Sequence, residues 1–231
     1  MPNILIVDTA TRSASLALGE ARGFTLRTSD PEERNSRDLL ALVQSLFEPT
    51  GGLAAADLDA LAYNAGPGSY TGSRIAASVV QGIAFAKGLP VIAVNTFELL
   101  LLRAQLEGNI AADTPFMTVV ESKVDEYFWC QFSGEPLSRQ RPSMCVGKAA
   151  DLVEAAGAFE GSLVVNQTVQ SHPVALNLGE PLWMRPRASD AFALVEERLE
   201  AGATQTAFEV EPLYGQEHIG WLTLAEQRAR A

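Results

Sequence analysis

At 231 residues, 47% of them hydrophobic and 19% charged, the chain can fold as one large domain or as two smaller ones, each with its own core. A formal charge of −11 argues against this chain alone gripping a nucleic-acid backbone, which takes clustered Lys and Arg. Two cysteines, Cys130 and Cys145, exclude a cysteine zinc cluster, and each reads as a small buried residue.

In chain order, residues 3–8 are a short apolar run, and 13–19 and 23–29 alternate apolar with polar residues. Three strands joined by tight turns begin an antiparallel sheet. Asp30-Pro31-Glu32-Glu33 reads as a helix entry, with a cap, a first-turn proline and acids set against the helix dipole. Leu39, Leu42, Val43, Leu46 and Phe47 supply that helix's apolar stripe, and Pro49 ends it. A strand at 58–63, a helix at 72–87 and a strand at 90–94 complete a β-β-β-α-β-α-β order and hence a mixed sheet. The helix at 72–87 carries charge only at Arg74 and Lys87 and is apolar or small all round. Such a helix is buried on more than one face, inside the chain or against a second subunit.

A Leu-rich helix at 96–106 leads into a second lobe. There, strands at 116–121 and 126–132 form a hairpin, with Phe128, Cys130 and Phe132 on one face and Tyr127 and Trp129 on the other. A helix at 147–156, a buried strand at 162–166 and a helix at 188–200 follow, and residues 169–186 show no clear pattern. A short polar helix at 223–231 closes the chain. The expected division is a first lobe at 1–98, a smaller second lobe at 99–210, and a tail at 211–231 that packs back on the first lobe. No basic leader precedes the first strand and no apolar run reaches membrane-spanning length, so the expected location is cytoplasmic, without membrane contact.

Most of the candidate chemistry lies in two segments. In Asn64-Ala-Gly-Pro-Gly-Ser-Tyr-Thr-Gly72, glycines and a proline make a tight turn into a helix, and Ser69 and Thr71 can cap its free N–H groups or join them around an anion. The P-loop lysine and the dinucleotide fingerprint are both absent, so a structural turn and a phosphate cradle stay open as readings. In Asp8-Thr9-Ala10-Thr11 the carboxylate could meet a metal-bound phosphate and the threonines its oxygens, or Asp8 could cap the turn. After residue 150 the glycines are isolated, so the second half of a nucleotide clamp is missing. His172 and His218 belong to no HxxxH or HExxH pattern, and the charged turn at Glu121, Lys123, Asp125 and Glu126 reads as solvated.

Three stretches together resemble the bacterial TsaB family, also called YeaZ: residues 4–11, residues 62–76 with their Gly-Pro-Gly-Ser-Tyr-Thr-Gly-Ser-Arg-Ile core, and residues 88–96. The resemblance covers about the first hundred residues closely. It implies an α/β, actin-like ASKHA fold (ribonuclease H-like), with two lobes each built on a mixed sheet flanked by helices. It also implies a scaffold subunit with no catalytic and no metal-binding residue of its own. Such a subunit pairs with a TsaD-type catalytic subunit, and with a TsaE-type ATPase, to form N6-threonylcarbamoyladenosine at tRNA position 37. Homodimers through the same first-lobe helices are implied too, with tRNA met only through the complex. No cofactor is required, and a nucleotide at the subunit interface is compatible with the family.

Carried onto this sequence, the interface falls on Leu39, Leu42, Val43, Leu46, Gly72, Ala76, Val80 and Ile83, and any anion or nucleotide contact on Asp8, Thr9, Thr11, Gly68, Ser69 and Thr71. The competing classes are an independent actin-like kinase or ATPase and a glycoprotease-type metallopeptidase. Departures from the family pattern are Asn35-Ser36 and Ala41 in the first helix, Glu121-Ser122-Lys123 before the second-lobe turn, and Pro212-Leu-Tyr214-Gly215-Gln216 near the end.

Overall fold

A computed structural model describes residues 2–11, 13–29, 36–54, 56–111, 113–123, 125–135, 137, 140 and 143–213. The helix entry at 30–33, Asn35, His218 and the tail from Tyr214 onward lie outside them.

Strands β1 (Ile4–Asp8), β2 (Ser15–Glu20), β3 (Gly23–Thr28), β4 (Ala60–Asn64) and β5 (Val91–Val94) form one sheet in the order β3-β2-β1-β4-β5. The first three run antiparallel, whereas β1, β4 and β5 are parallel. Strands β6 (Phe116–Lys123), β7 (Glu126–Phe132), β8 (Met144–Lys148), β9 (Ser162–Asn166) and β10 (Leu182–Met184) form a second sheet in the order β10-β9-β6-β7-β8. The two orders map onto each other strand for strand, so the lobes repeat one architecture. That architecture and its flanking helices make this an α/β fold of the actin-like, two-lobed kind.

Helices α1 (Ser36–Phe47) and α2 (Tyr70–Lys87) cover the outer face of the first sheet. Helix α3 (Thr96–Leu106) lies between the sheets. Its Leu99 packs with Ile4, Ile6 and Ile92, while Phe97, Leu100, Leu101 and Ala104 pack with Phe116, Val120 and Val164. This double burial explains the run of four leucines, which no one-sided helix would need. Helix α4 (Ala149–Gly157) and 3-10 turns at Gln167–Ser171 and Pro173–Asn177 cover the far side of the second sheet.

Two elements depart from the sequence reading. Strand β8 precedes α4 where one helix was expected from 147. It is an edge strand with Cys145 and Val146 exposed, so the one-sided burial that marks a strand in sequence is missing. Strand β10 is three residues long and sits in the unpatterned stretch.

From Ala188 on, the chain returns to the first lobe, although the sequence pattern carries the second lobe to 210. Ala188, Ala191 and then Phe192, Leu194 and Val195 of α5 (Phe192–Glu200) pack beneath Ile4, Ile6 and Ala17. Beyond α5 the chain rounds the β5 edge, where Gln205 bridges Val91, and Ala207 and Val210 enter the core on the α2 side. The Tyr63 hydroxyl donates to Glu211 O at 2.8 Å, and Leu213 N donates to Ala65 O at 2.8 Å, so the segment passes beside the glycine loop. Arg198 pins the inner layer by donating through Nη1 and Nη2 to both Glu98 oxygens, at 3.2 and 2.5 Å, and through Nη1 to Ala93 O at 2.7 Å. Glu98 also completes the capping box that starts α3.

Candidate functional site

Strand β1 delivers Asp8 to the head of the first sheet, where the side chain is fully buried. Its Oδ1 accepts from Ala10 N and from Asn64 Nδ2, both at 3.0 Å, and Thr11 Oγ1 lies 3.5 Å from Oδ2. Asn64 continues the network: Nδ2 also donates to Thr96 Oγ1 at 3.0 Å, and Oδ1 accepts from Gly66 N at 2.9 Å. Thr96 Oγ1 donates to Pro67 O at 2.6 Å, which ties the start of α3 to the glycine loop. Burial pushes the Asp8 carboxyl up to about 6 against the pull of the Asn64, Ala10 and Thr11 hydrogen bonds, and the nearby Asp190 raises it further.

The glycine loop is filled from within the chain. A Cβ on Gly68 would collide with the Ala10 carbonyl, and one on Gly72 with the Thr9 carbonyl. Ser69 N donates to that Ala10 oxygen at 2.7 Å, the Ser69 hydroxyl caps Gly72 N at 3.1 Å, and Thr9 Oγ1 donates to Gly72 O at 2.6 Å. The glycines therefore let the β1 turn press against the head of α2. Gly72→Ala is expected to lose about 3 kcal/mol or more, because the obstructing atom is backbone and cannot swing aside; a urea melt that matches the parent would contradict this packing.

Thr9, Thr11, Gly68, Ser69 and Thr71 line a cleft of about 510 Å³ between the lobes, with Glu121, Ser122, Asn166 and Thr168 on the opposite wall. Asp8 stands behind it, sealed from solvent. On the second-lobe wall, Glu121 Oε2 lies 3.0 Å from His172 Nε2, and His172 Nδ1 lies 3.1 Å from the Tyr127 hydroxyl. Sequence reasoning took His172 as isolated and the Glu121 turn as solvated; the sheet and the following 3-10 turn bring them together, with no spacing signal to betray it. Ser122 Oγ donates to Glu126 Oε1 at 2.9 Å, so Glu126 is held inside the turn. Among the described residues no three His, Cys, Asp or Glu side chains gather where they could hold a metal ion. Burial raises the Cys130 thiol to about 12, which leaves it inert.

A second concavity of about 360 Å³ lies between α1 and α2, lined by Leu39, Tyr70, Thr71, Arg74, Ile75, Ser78 and Val79. Here the structure redraws the residues assigned to a partner surface. Leu39, Val43, Leu46, Gly72, Ala76, Val80 and Ile83 are buried in the chain's own first-lobe core, and Leu42 is half-buried. The opposite side of α2 faces outward, with Ile75 and Val79 half-buried and Ser78, Gly82, Phe85 and Ala86 exposed at helical spacing. A Cβ on Gly82 would meet nothing within 4 Å, so no contact among the described residues explains why the position is a glycine. The Arg74 guanidinium stacks 3.3 Å from the Tyr70 ring centroid at the head of this face.

These features define the class: a two-lobed, actin-like α/β protein whose glycine loop is filled by its own backbone and whose second helix turns a small, apolar face outward. Comparison with known proteins gives the family. The model described as "TsaD: tRNA N6-adenosine threonylcarbamoyltransferase" matches residues 31–193. The chain is 27% identical to the Escherichia coli K12 tRNA threonylcarbamoyladenosine biosynthesis protein TsaB, over 96% of this chain and 97% of that protein. It is 26% identical to the protein of the same name from Haemophilus influenzae, with 96% of each covered. The solved structure of YeaZ from Pseudomonas aeruginosa superposes with a TM-score of 0.75 at 25% identity, covering 93% of this chain and 100% of that one. The chain belongs to this threonylcarbamoyltransferase family, on its TsaB (YeaZ) branch.

Proposed function

We propose that this chain is a non-catalytic subunit in the formation of threonylcarbamoyladenosine on tRNA, pairing with a TsaD-type catalytic subunit through the outward face of α2. The observation that carries the reading is Gly82. A glycine in a helix interior costs about 1 kcal/mol relative to alanine, and here nothing among the described residues requires it. A second helix packed closely over Ile75, Ser78, Val79 and Gly82 would require it. The relatives' names supply the pathway, and the burial of Asp8 supports a supporting rather than a catalytic role.

In this reading a TsaE-type ATPase joins the pair, the same face closes a homodimer when the catalytic subunit is absent, and the partner holds the tRNA, as a chain of charge −11 does not. The setting is the cytoplasm, consistent with the lack of any described helix long and apolar enough to cross a membrane. No cofactor is needed for pairing, and any nucleotide would sit at the joint between subunits. An independent ATPase is the weaker reading, because the Thr9 and Ala10 carbonyls occupy the glycine loop.

The test is reconstitution. The purified catalytic subunit, its ATPase and the threonylcarbamoyl donor should modify tRNA only when this chain is added, and deletion of its gene should remove the modified nucleoside from digested tRNA. Full modification without the chain would overturn the proposal.

A further inference from the structure

The interlobe cleft holds charged groups that pairing through α2 does not use. Strands β6, β9 and β10 are parallel, their carboxyl ends point toward the first lobe, and β6 also pairs antiparallel with β7 on its other side. Open α/β sheets take ligands in the crevice outside such strand ends, where the strand order switches. The registers Val119↔Val165 and Trp183↔Val165 set Val119 and Trp183 on either side of Val165, and Glu121 and Arg185 each follow two residues further on. With neighbouring strands about 4.8 Å apart, Val119 and Trp183 stand about 10 Å apart, and a carboxylate and a guanidinium leave the ends of those two strands.

Glu121 lines the cleft of about 510 Å³, and Arg185 lines an adjoining chamber of about 410 Å³; Thr11, Asn166 and Thr168 line both. Arg185 is exposed and forms no hydrogen bond or ion pair among the described residues. Glu121 spends Oε2 on His172 and leaves Oε1 open. Asn166 is 3% exposed, and its Oδ1 accepts from Thr168 N and Oγ1, both at 3.0 Å. Its Nδ2 donates to no described residue and stands in the wall shared by both chambers.

A polyphosphate would meet one guanidinium and then Glu121, and a simple cation would meet Arg185. A small molecule carrying both charges matches both ends. We propose that the cleft binds a free, zwitterionic α-amino acid, with its ammonium at Glu121 Oε1 and its carboxylate at Arg185 and Asn166 Nδ2.

The experiment uses the full chain: thermal shift with each proteinogenic amino acid, then calorimetry on the strongest, beside its decarboxylated amine and its deaminated acid. At least one amino acid should raise the melting temperature. Glu121→Gln and Arg185→Ala should each weaken its binding at least about ten-fold with circular dichroism unchanged, and both analogues should weaken equally. Arg185→Lys, which keeps the charge, should recover part of the binding. Absence of any amino-acid shift would overturn the proposal. So would inorganic phosphate binding that is lost in Arg185→Ala and kept in Glu121→Gln, since that marks a plain anion site. Neither result touches pairing through α2, which is read out separately by co-elution with the catalytic subunit.

Discussion

Val80→Asp is expected to yield no folded chain. Val80 is fully buried between Ala76 and Ala84 on the row of α2 that meets Leu61 and Tyr63 of β4, in a cluster of apolar side chains. The change removes about 1.5–3 kcal/mol of apolar burial and adds an unpaired buried charge, together several kcal/mol or more. Set against a domain stability of about 5–15 kcal/mol, that is enough to unfold the chain. Soluble yield and far-UV circular dichroism decide it. A folded monomer that only fails to pair would place this row on the surface, where the sequence reading had put it.

Asp8→Asn should make the protein more stable at neutral pH. The folded carboxyl is raised from 3.8 to about 6, so between those values the folded state binds more protons than the unfolded one. Its contribution to stability is whole below about pH 4 and is lost as pH rises through about 6. At pH 7.5 the ionised, buried group therefore costs about 2–3 kcal/mol. An amide keeps Oδ1 as acceptor for Ala10 N and Asn64 Nδ2 and turns a donor toward Thr11 Oγ1, so the geometry survives without the charge. Urea melts of both forms should differ by about that amount at pH 7.5 and converge near pH 4. A variant less stable than the parent at pH 7.5 would mean that the carboxylate is stabilised by a partner outside the described residues.

Much of this architecture was legible in the sequence, and the failures share a cause. The leucines of α3 point both ways, and a helix apolar on both sides has to lie between two layers, as it does between the sheets. Helix α2 reads the same way, yet only one side is covered by the described residues of its own chain. Ala76, Val80 and Ala84 are no more apolar than Ile75, Val79 and Phe85, so composition cannot rank the faces. The approach of β4, which decides it, is a tertiary fact. The Thr9–Thr11 and Gly68–Thr71 segments, grouped in the sequence only through the family resemblance, both follow strands that end at the same edge of the first sheet. That their hydroxyls and glycines already serve each other could not be read from spacing. Glu121, His172 and Tyr127 meet across β6, β7 and a later turn, and Arg185 follows a strand too short to announce itself.

In the proposed pairing, α2 presents its Gly82 side to a partner while its Val80 side holds the first lobe together. Gly82→Arg separates these roles, because the position is exposed and arginine favours the helix by about 1 kcal/mol over glycine. Titrating the purified TsaD-type subunit with the parent and the variant by calorimetry, after thermal melts of each alone, is the measurement. The variant should melt at or above the parent temperature and bind the catalytic subunit at least about thirty-fold more weakly, the loss expected of a central interface position. A variant that is folded and binds as tightly as the parent would contradict it.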